Sequence, residues 1–259
     1  LTVMLPLSDH DLRRGGGRGP GMPFAEYAHR IVRFRHMDFE YALWLMANLC
    51  ISPRTAFRST LYHSRTKHQW ARDDPAFVVV LAYMLAVAGV AWCLAFGQGA
   101  LETLSLLLYV LLFDFVALGS AIASAGWWVS NNYLRDDALR EHVWVAAADA
   151  KEEHVEWRYA FDVHTNAFVP TFLLLYVVQY LLLPLLLRGG VLAALLSDTL
   201  YAAAFTIYWY LTFLGYSELP FLRGAVYFLY PVVPVVGAYV LALLLRLNAT
   251  EIVVAVYFG

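Results

Sequence analysis

The chain has 259 residues, 61% of them apolar and only 15% charged, whereas ordinary soluble domains are about a quarter charged. A formal net charge of −2 selects neither an anionic nor a cationic partner. Several uninterrupted apolar runs of about 20 residues exclude a soluble fold, because in lipid only a helix of this kind satisfies its own backbone groups. The expected class is an all-α integral membrane protein: five transmembrane helices preceded by a cytosolic amphipathic, interfacial helix.

Residues 1–23, with "RRGGGRGPG", read as a disordered basic and glycine-rich tail. This polar start does not look like a cleavable signal peptide, so the first span is expected to act as the targeting signal. Residues 24–75 read as a cytosolic, amphipathic helical segment. Within residues 24–49, Phe24, Tyr27, Ile31, Phe34, Met37, Tyr41 and Trp44 follow steps of three and four. Glu26, Arg30, Arg33, His36 and Glu40 follow the same steps on another face. Such a helix lies in the membrane interface with Phe34 and Trp44 down and Arg30 and Arg33 toward headgroups. The alternative is that it packs against the spans.

The first of five expected spans covers about 76–96. "ARDDPAF" precedes it: Asp74 is a good capping residue ahead of a proline suited to a first helical turn. Asp73 adds negative charge at the positive helix end, and Arg72 anchors the rim. The other spans are about 103–129, 168–187, 192–214 and 225–245, with a loop over 130–167. Cys50 and Cys93 provide no disulfide framework.

Lysine and arginine set the orientation. Residues 1–75 hold eleven, the 130–167 loop four and the 215–224 loop one, against only Arg188 and Arg246 on the other side. The N-terminus and these loops are therefore expected in the cytosol and the C-terminus in the lumen. The triplet Asn248-Ala249-Thr250 would then be a lumenal sequon, close to the last span.

The 130–167 loop ends in "VEWRYAFDVHTNAFVP". On a helix, Trp157, Phe161, His164 and Phe168 share one stripe, and Arg158, Asp162 and Asn166 another, where an Arg–Asp pair at i, i+4 would assist. The third connection, "FLGYSELPFLRG", is a tight turn holding Tyr216, Glu218 and Phe221. Inside the spans, Asp114, Gln179 and Asp198 are polar residues that lipid makes costly. Asp114 is expected to be protonated or to bond a Ser, Thr or Tyr hydroxyl of a neighbouring helix, and Asp198 to lie near the lumenal interface. Asp114 could instead serve an ion or lipid pathway.

All eight histidines precede residue 165 and fall outside these expected spans. No metal-ligand spacing, nucleophile elbow, phosphate loop or dinucleotide fingerprint is present, so no catalytic set, metal or cofactor is expected. Residues 1–75 carry eleven bases against seven acids, which suits lipid headgroups but is a small excess for nucleic acid, and no recognised RNA module is present, so support for RNA is weak.

Four stretches, "RFRHMDFEYALWLMANLCISPR", "QWARDDPAFVVVL", "WRYAFDVHTNAFVP" and "TFLGYSELPFL", resemble the uncoordinated-50 family of multi-pass Golgi and endoplasmic-reticulum membrane proteins. The likeness runs over about residues 27–258; "RDDALREHVWVAAADAKEEHV" departs from the pattern. It implies five spans, a cytosolic N-terminus and a Golgi membrane location, with the endoplasmic reticulum or inner nuclear membrane as further sites. It also implies a part in vesicular traffic: delivery of receptor cargo to the cell surface and recruitment of a large Arf-type guanine-nucleotide exchange factor. RNA binding is implied for animal members. The family has no agreed catalytic residues. The expected partner-binding surface joins Arg72, Asp73 and Asp74 with Arg158, Asp162, His164 and Asn166 and with Tyr216, Glu218 and Phe221. A structural subunit of a larger membrane assembly is a further reading.

Overall fold

The computed structural model describes residues 37–58, 70–72, 74–135 and 154–259. The first 36 residues, with Arg30, Arg33 and Phe34, and the single residue Asp73 lie outside it. Among the described residues all regular structure is helical. Helix α1 covers Phe39–Ile51. Five helices are long and apolar enough to cross a membrane: α2 (Ala76–Ala95), α3 (Ala100–Leu134), α4 (Trp157–Leu186), α5 (Val191–Ser217) and α6 (Ala225–Leu245). A short helix, α7, follows over Ala249–Phe258.

Lengths matter here. At 1.5 Å per residue, α2 spans about 30 Å, the thickness of a hydrocarbon core, whereas α3 and α4 reach about 50 and 45 Å. The sequence pattern places the third span's edge near 168; the helix begins eleven residues earlier, at Trp157. Both arms of the expected 130–167 loop thus belong to helices, and "WRYAFDVHTNAF" is the first three turns of α4. Apolarity alone misses this, because those turns carry their polar residues toward protein rather than lipid.

Helix α4 is the hub, packing against α1, α2, α3 and α5. Small residues let α3 approach it: Gly119, Ala123 and Gly126 are buried on one side, where close backbone approach replaces the hydrophobic drive that lipid cannot supply. A Cβ on Gly119 would collide with the His164 imidazole, and one on Gly126 with the Tyr216 hydroxyl. Pro170 removes one backbone donor inside α4, and a wider-turned segment follows at Leu173–Val178. Helix α6 packs mainly on α5.

Helix α1 buries Ala42, Leu45, Met46 and Leu49 against α2 and α4. This is the packed alternative, and the buried face is offset from the expected aromatic stripe. Trp44 is 44% exposed and stacks on Tyr41, so it remains on the side open to lipid or water.

Candidate functional site

Arg72 sits between the first turns of α2 and α4. Its backbone N–H donates to Asp162 Oδ2 at 2.7 Å, and its Nη2 donates to Asp162 Oδ1 at 3.2 Å and to Thr165 Oγ1 at 2.9 Å. The guanidinium lies 4.0 Å over the Phe77 ring. Arg158 Nη2 donates to the Arg72 carbonyl at 2.7 Å. The expected helical partner of Asp162 was Arg158, one turn away. The carboxylate is instead held by Arg72, 90 residues distant, while Arg158 supports the backbone that presents Arg72.

Asp74 ties a second pair of elements. Its Oδ1 accepts the Ala76 N–H at 2.9 Å, capping α2 as the sequence suggests, and its Oδ2 accepts the Asp38 N–H at 2.8 Å. Asp38 in turn caps α1 by accepting from Tyr41 N–H. One carboxylate thereby fixes the entry of both helices.

The rest of this end is knitted by aromatic and backbone contacts. Trp70 meets Tyr159 and Phe221 edge-on at 6.2 and 6.0 Å. The Tyr159 hydroxyl donates to the Gly215 carbonyl at 2.6 Å. Asn131 at the end of α3 exchanges two bonds with the Val155 backbone, and Arg223 N–H donates to the Leu134 carbonyl at 2.7 Å. Burial pushes the Glu156 carboxyl up from the usual glutamate range, against a backbone bond from Ala71 and the charge of Arg158. Four separated segments therefore form one body at this charged end.

Not every residue expected on its surface is there. His164 and Asn166 are each 4% exposed, Tyr216 is 2% and Phe221 7%. Their polar or aromatic character signals burial inside the bundle: Tyr216 stacks on Phe228 at 4.0 Å, and His164 bonds Tyr208 at 2.8 Å. His164 also lies within a membrane-crossing helix, not outside the spans as the sequence pattern suggests. The stripe Trp157, Phe161, His164 and Phe168 does form, with successive ring centroids 5.6 to 5.9 Å apart. Glu218 is half-buried at the end of α5.

The opposite end carries a second polar centre, organised by α7. Asp198 Oδ1 accepts the Ala249 N–H at 3.0 Å, Ser197 Oγ accepts the Thr250 N–H at 2.8 Å, and the Asn248 side chain accepts from Thr250 and Glu251. Three side chains thus answer the first donors of one short helix. Asp198 is only 3% exposed; the N-terminus of α7 accommodates it. Gln179 Nε2 donates to the Tyr201 hydroxyl at 2.9 Å and to Thr250 Oγ1 at 3.1 Å. At the far end of α7 the Tyr257 hydroxyl donates to Asp114 Oδ2 at 2.7 Å, which is the hydroxyl partner expected for this acid. Asn248 donates to the Leu186 carbonyl and is 7% exposed, so the sequon is a buried helix cap. The sequence did contain a signal for α7, since Asn248 and Glu251 have capping-box spacing before "IVVAVYF".

Among the described residues, no three His, Cys, Asp or Glu side chains come together to hold a metal ion. Five apolar spans around a polar-capped hub define a multi-pass α-helical membrane protein. The UNC-50 family model matches residues 27–258, and the chain belongs to that family. It is 42% identical over 235 residues to the unc-50 homolog of Dictyostelium discoideum, covering 90% of this chain and 87% of the relative. It is 41% identical over 233 residues to the human unc-50 homolog, covering 90% and 86%. The unc-50 homolog of Danio rerio is 38% identical over 259 residues, covering 96% of each. No solved structure gives a significant match.

Proposed function

We propose that this protein is a non-enzymatic adaptor of vesicular traffic in Golgi and endoplasmic-reticulum membranes. Its charged end faces the cytosol and recruits a soluble trafficking factor, for which a large Arf-type exchange factor is the family-implied candidate. Surface delivery of receptor cargo follows from that recruitment. The orientation rests on sixteen of the eighteen Lys and Arg residues falling on the N-terminal side of the five-span arrangement.

The observation that carries the reading is the joining of Arg72 to Asp162 and Thr165. A loop that only anchored its own span would not need partners from another helix. Here the segments before α2, at the end of α3, at the start of α4 and between α5 and α6 are mutually bonded, which is the preorganisation a docking surface requires. The buried His164, Asn166, Tyr216 and Phe221 support it from beneath, and Glu218 and the ends of α3 and α4 supply its outer rim. The bond from Tyr257 supports a structural role for Asp114 over an ion pathway.

The test is affinity capture from detergent-solubilised membranes, comparing wild type with Glu218→Lys and Asp162→Ala. Loss of a soluble trafficking factor in variants that still reach the Golgi supports the proposal. Retention of every partner by both correctly localised variants overturns it.

A further inference from the structure

A cavity of about 270 Å³ lies among α3, α4, α5 and the start of α6. Ala123 and Gly126 form one wall, His164 and Tyr208 one end, and Tyr216 and Phe228 the other. Ala125 and Tyr227, both exposed, stand at its rim. The four helices that wall it are all long and apolar enough to cross a membrane, which suits a ligand drawn from the bilayer.

The lining includes no Asp, Glu, Lys or Arg side chain. A phosphate or carboxylate headgroup would therefore enter without a counter-charge, at high cost in this setting. The polar groups of the lining are the hydroxyls of Tyr208, Thr212, Tyr216 and Tyr227, the Trp209 indole and the His164 imidazole, which is 4% exposed. Its Nδ1 bonds the Tyr208 hydroxyl at 2.8 Å, while its Nε2 is buried without a hydrogen-bond partner. Two tautomers are open to it. If Nδ1 carried the proton, the Tyr208 hydroxyl would lack an acceptor and Nε2 would lack a donor. With the tyrosine donating to Nδ1, a single group is left over, the Nε2–H. That arrangement leaves the fewest buried polar atoms unpaired, and it leaves one hydrogen-bond donor unanswered on a residue that lines the apolar chamber.

We infer that this cavity binds a neutral membrane lipid whose polar group is a small hydroxyl or carbonyl oxygen that accepts from the His164 Nε2–H, with its hydrocarbon along Ala123, Gly126 and Phe228. Two sources share that chemistry, a sterol and a diacylglycerol. The site would lie beneath the charged end, since Tyr216 belongs to the cavity wall and packs edge-on against Tyr159 at 6.4 Å. The inference stands independently of the recruitment proposal.

Photoactivatable cholesterol, photoactivatable diacylglycerol and photoactivatable phosphatidylcholine are each applied to the full-length protein in vesicles, and labelled peptides are mapped. One or both neutral probes should label residues 122–129 and 208–216 at least fivefold more than the phosphatidylcholine probe does. Ala125→Trp, which fills the rim from an exposed position, should reduce that labelling at least fivefold. Leu112→Trp, on the exposed face of the same helix, should leave it unchanged. Competition by the matching unlabelled lipid on wild-type protein provides the readout should Ala125→Trp not fold. Labelling spread evenly over the lipid-facing helices, equal labelling by phosphatidylcholine, or no competition overturns the inference.

Discussion

Arg72 and Asp162 are 90 residues apart and are joined by three direct contacts, a backbone N–H at 2.7 Å and a guanidinium nitrogen at 3.2 Å to the two carboxylate oxygens, and the same guanidinium nitrogen at 3.4 Å to the Asp162 carbonyl. Each side chain is only 13% exposed. Removing one partner of such a pair strands the other, which is more costly than never having formed it. Asp162→Ala should therefore destabilise the protein by about 2–4 kcal/mol, read as a lower midpoint in a thermal size-exclusion assay of detergent-solubilised protein. A midpoint unchanged from wild type would show that the pair holds nothing together.

Asp74 serves two helix entries with one carboxylate, so its removal affects both. Asp74→Ala should cost about 1–2 kcal/mol and increase protease cleavage around Asp38, where its N–H loses its acceptor. Asp74→Asn keeps one acceptor oxygen and should fall between Asp74→Ala and wild type. Equal behaviour of all three proteins in limited proteolysis would contradict the double-cap geometry.

Tyr257 and Asp114, 143 residues apart, form the longest-range side-chain hydrogen bond described above. Hydrogen bonds between helices in lipid are worth about 0.6–1.7 kcal/mol. A double-mutant cycle of Tyr257→Phe and Asp114→Leu should give a coupling of about 1 kcal/mol, and Asp114→Asn, which retains an acceptor, should stay within about 0.5 kcal/mol of wild type. A coupling near zero would detach α7 from α3.

Asn248 has its side chain committed to Leu186, Thr250 and Glu251. The folded protein should show no mobility shift on endoglycosidase treatment. Asn248→Ala should leave mobility unchanged and lower stability by about 1–2 kcal/mol. A glycan at this position would require α7 to be undocked.

Hydrophobic runs made the five spans and their number legible before any coordinates, because lipid imposes length and apolarity on each helix separately. The Asp74 cap was legible for the same reason, being set within three residues. The start of α4 was not: a helix that buries polar side chains against its neighbours looks like a charged loop when read one segment at a time. Asp162 was assigned to Arg158 because local spacing is visible and a partner 90 residues away is not. His164 and Tyr216 were read as surface residues by the same limitation, since a titratable or hydroxyl-bearing side chain faces inward only when another helix brings it a partner.

What the sequence determined alone is therefore the membrane class, the spans and the side on which basic residues gather, all properties of single segments in a bilayer. Which polar residues are exposed and which are enclosed was decided only by tertiary structure. Burial of a polar atom depends on a distant partner, as Tyr208 is for His164 and Asp198 is for the backbone of Ala249.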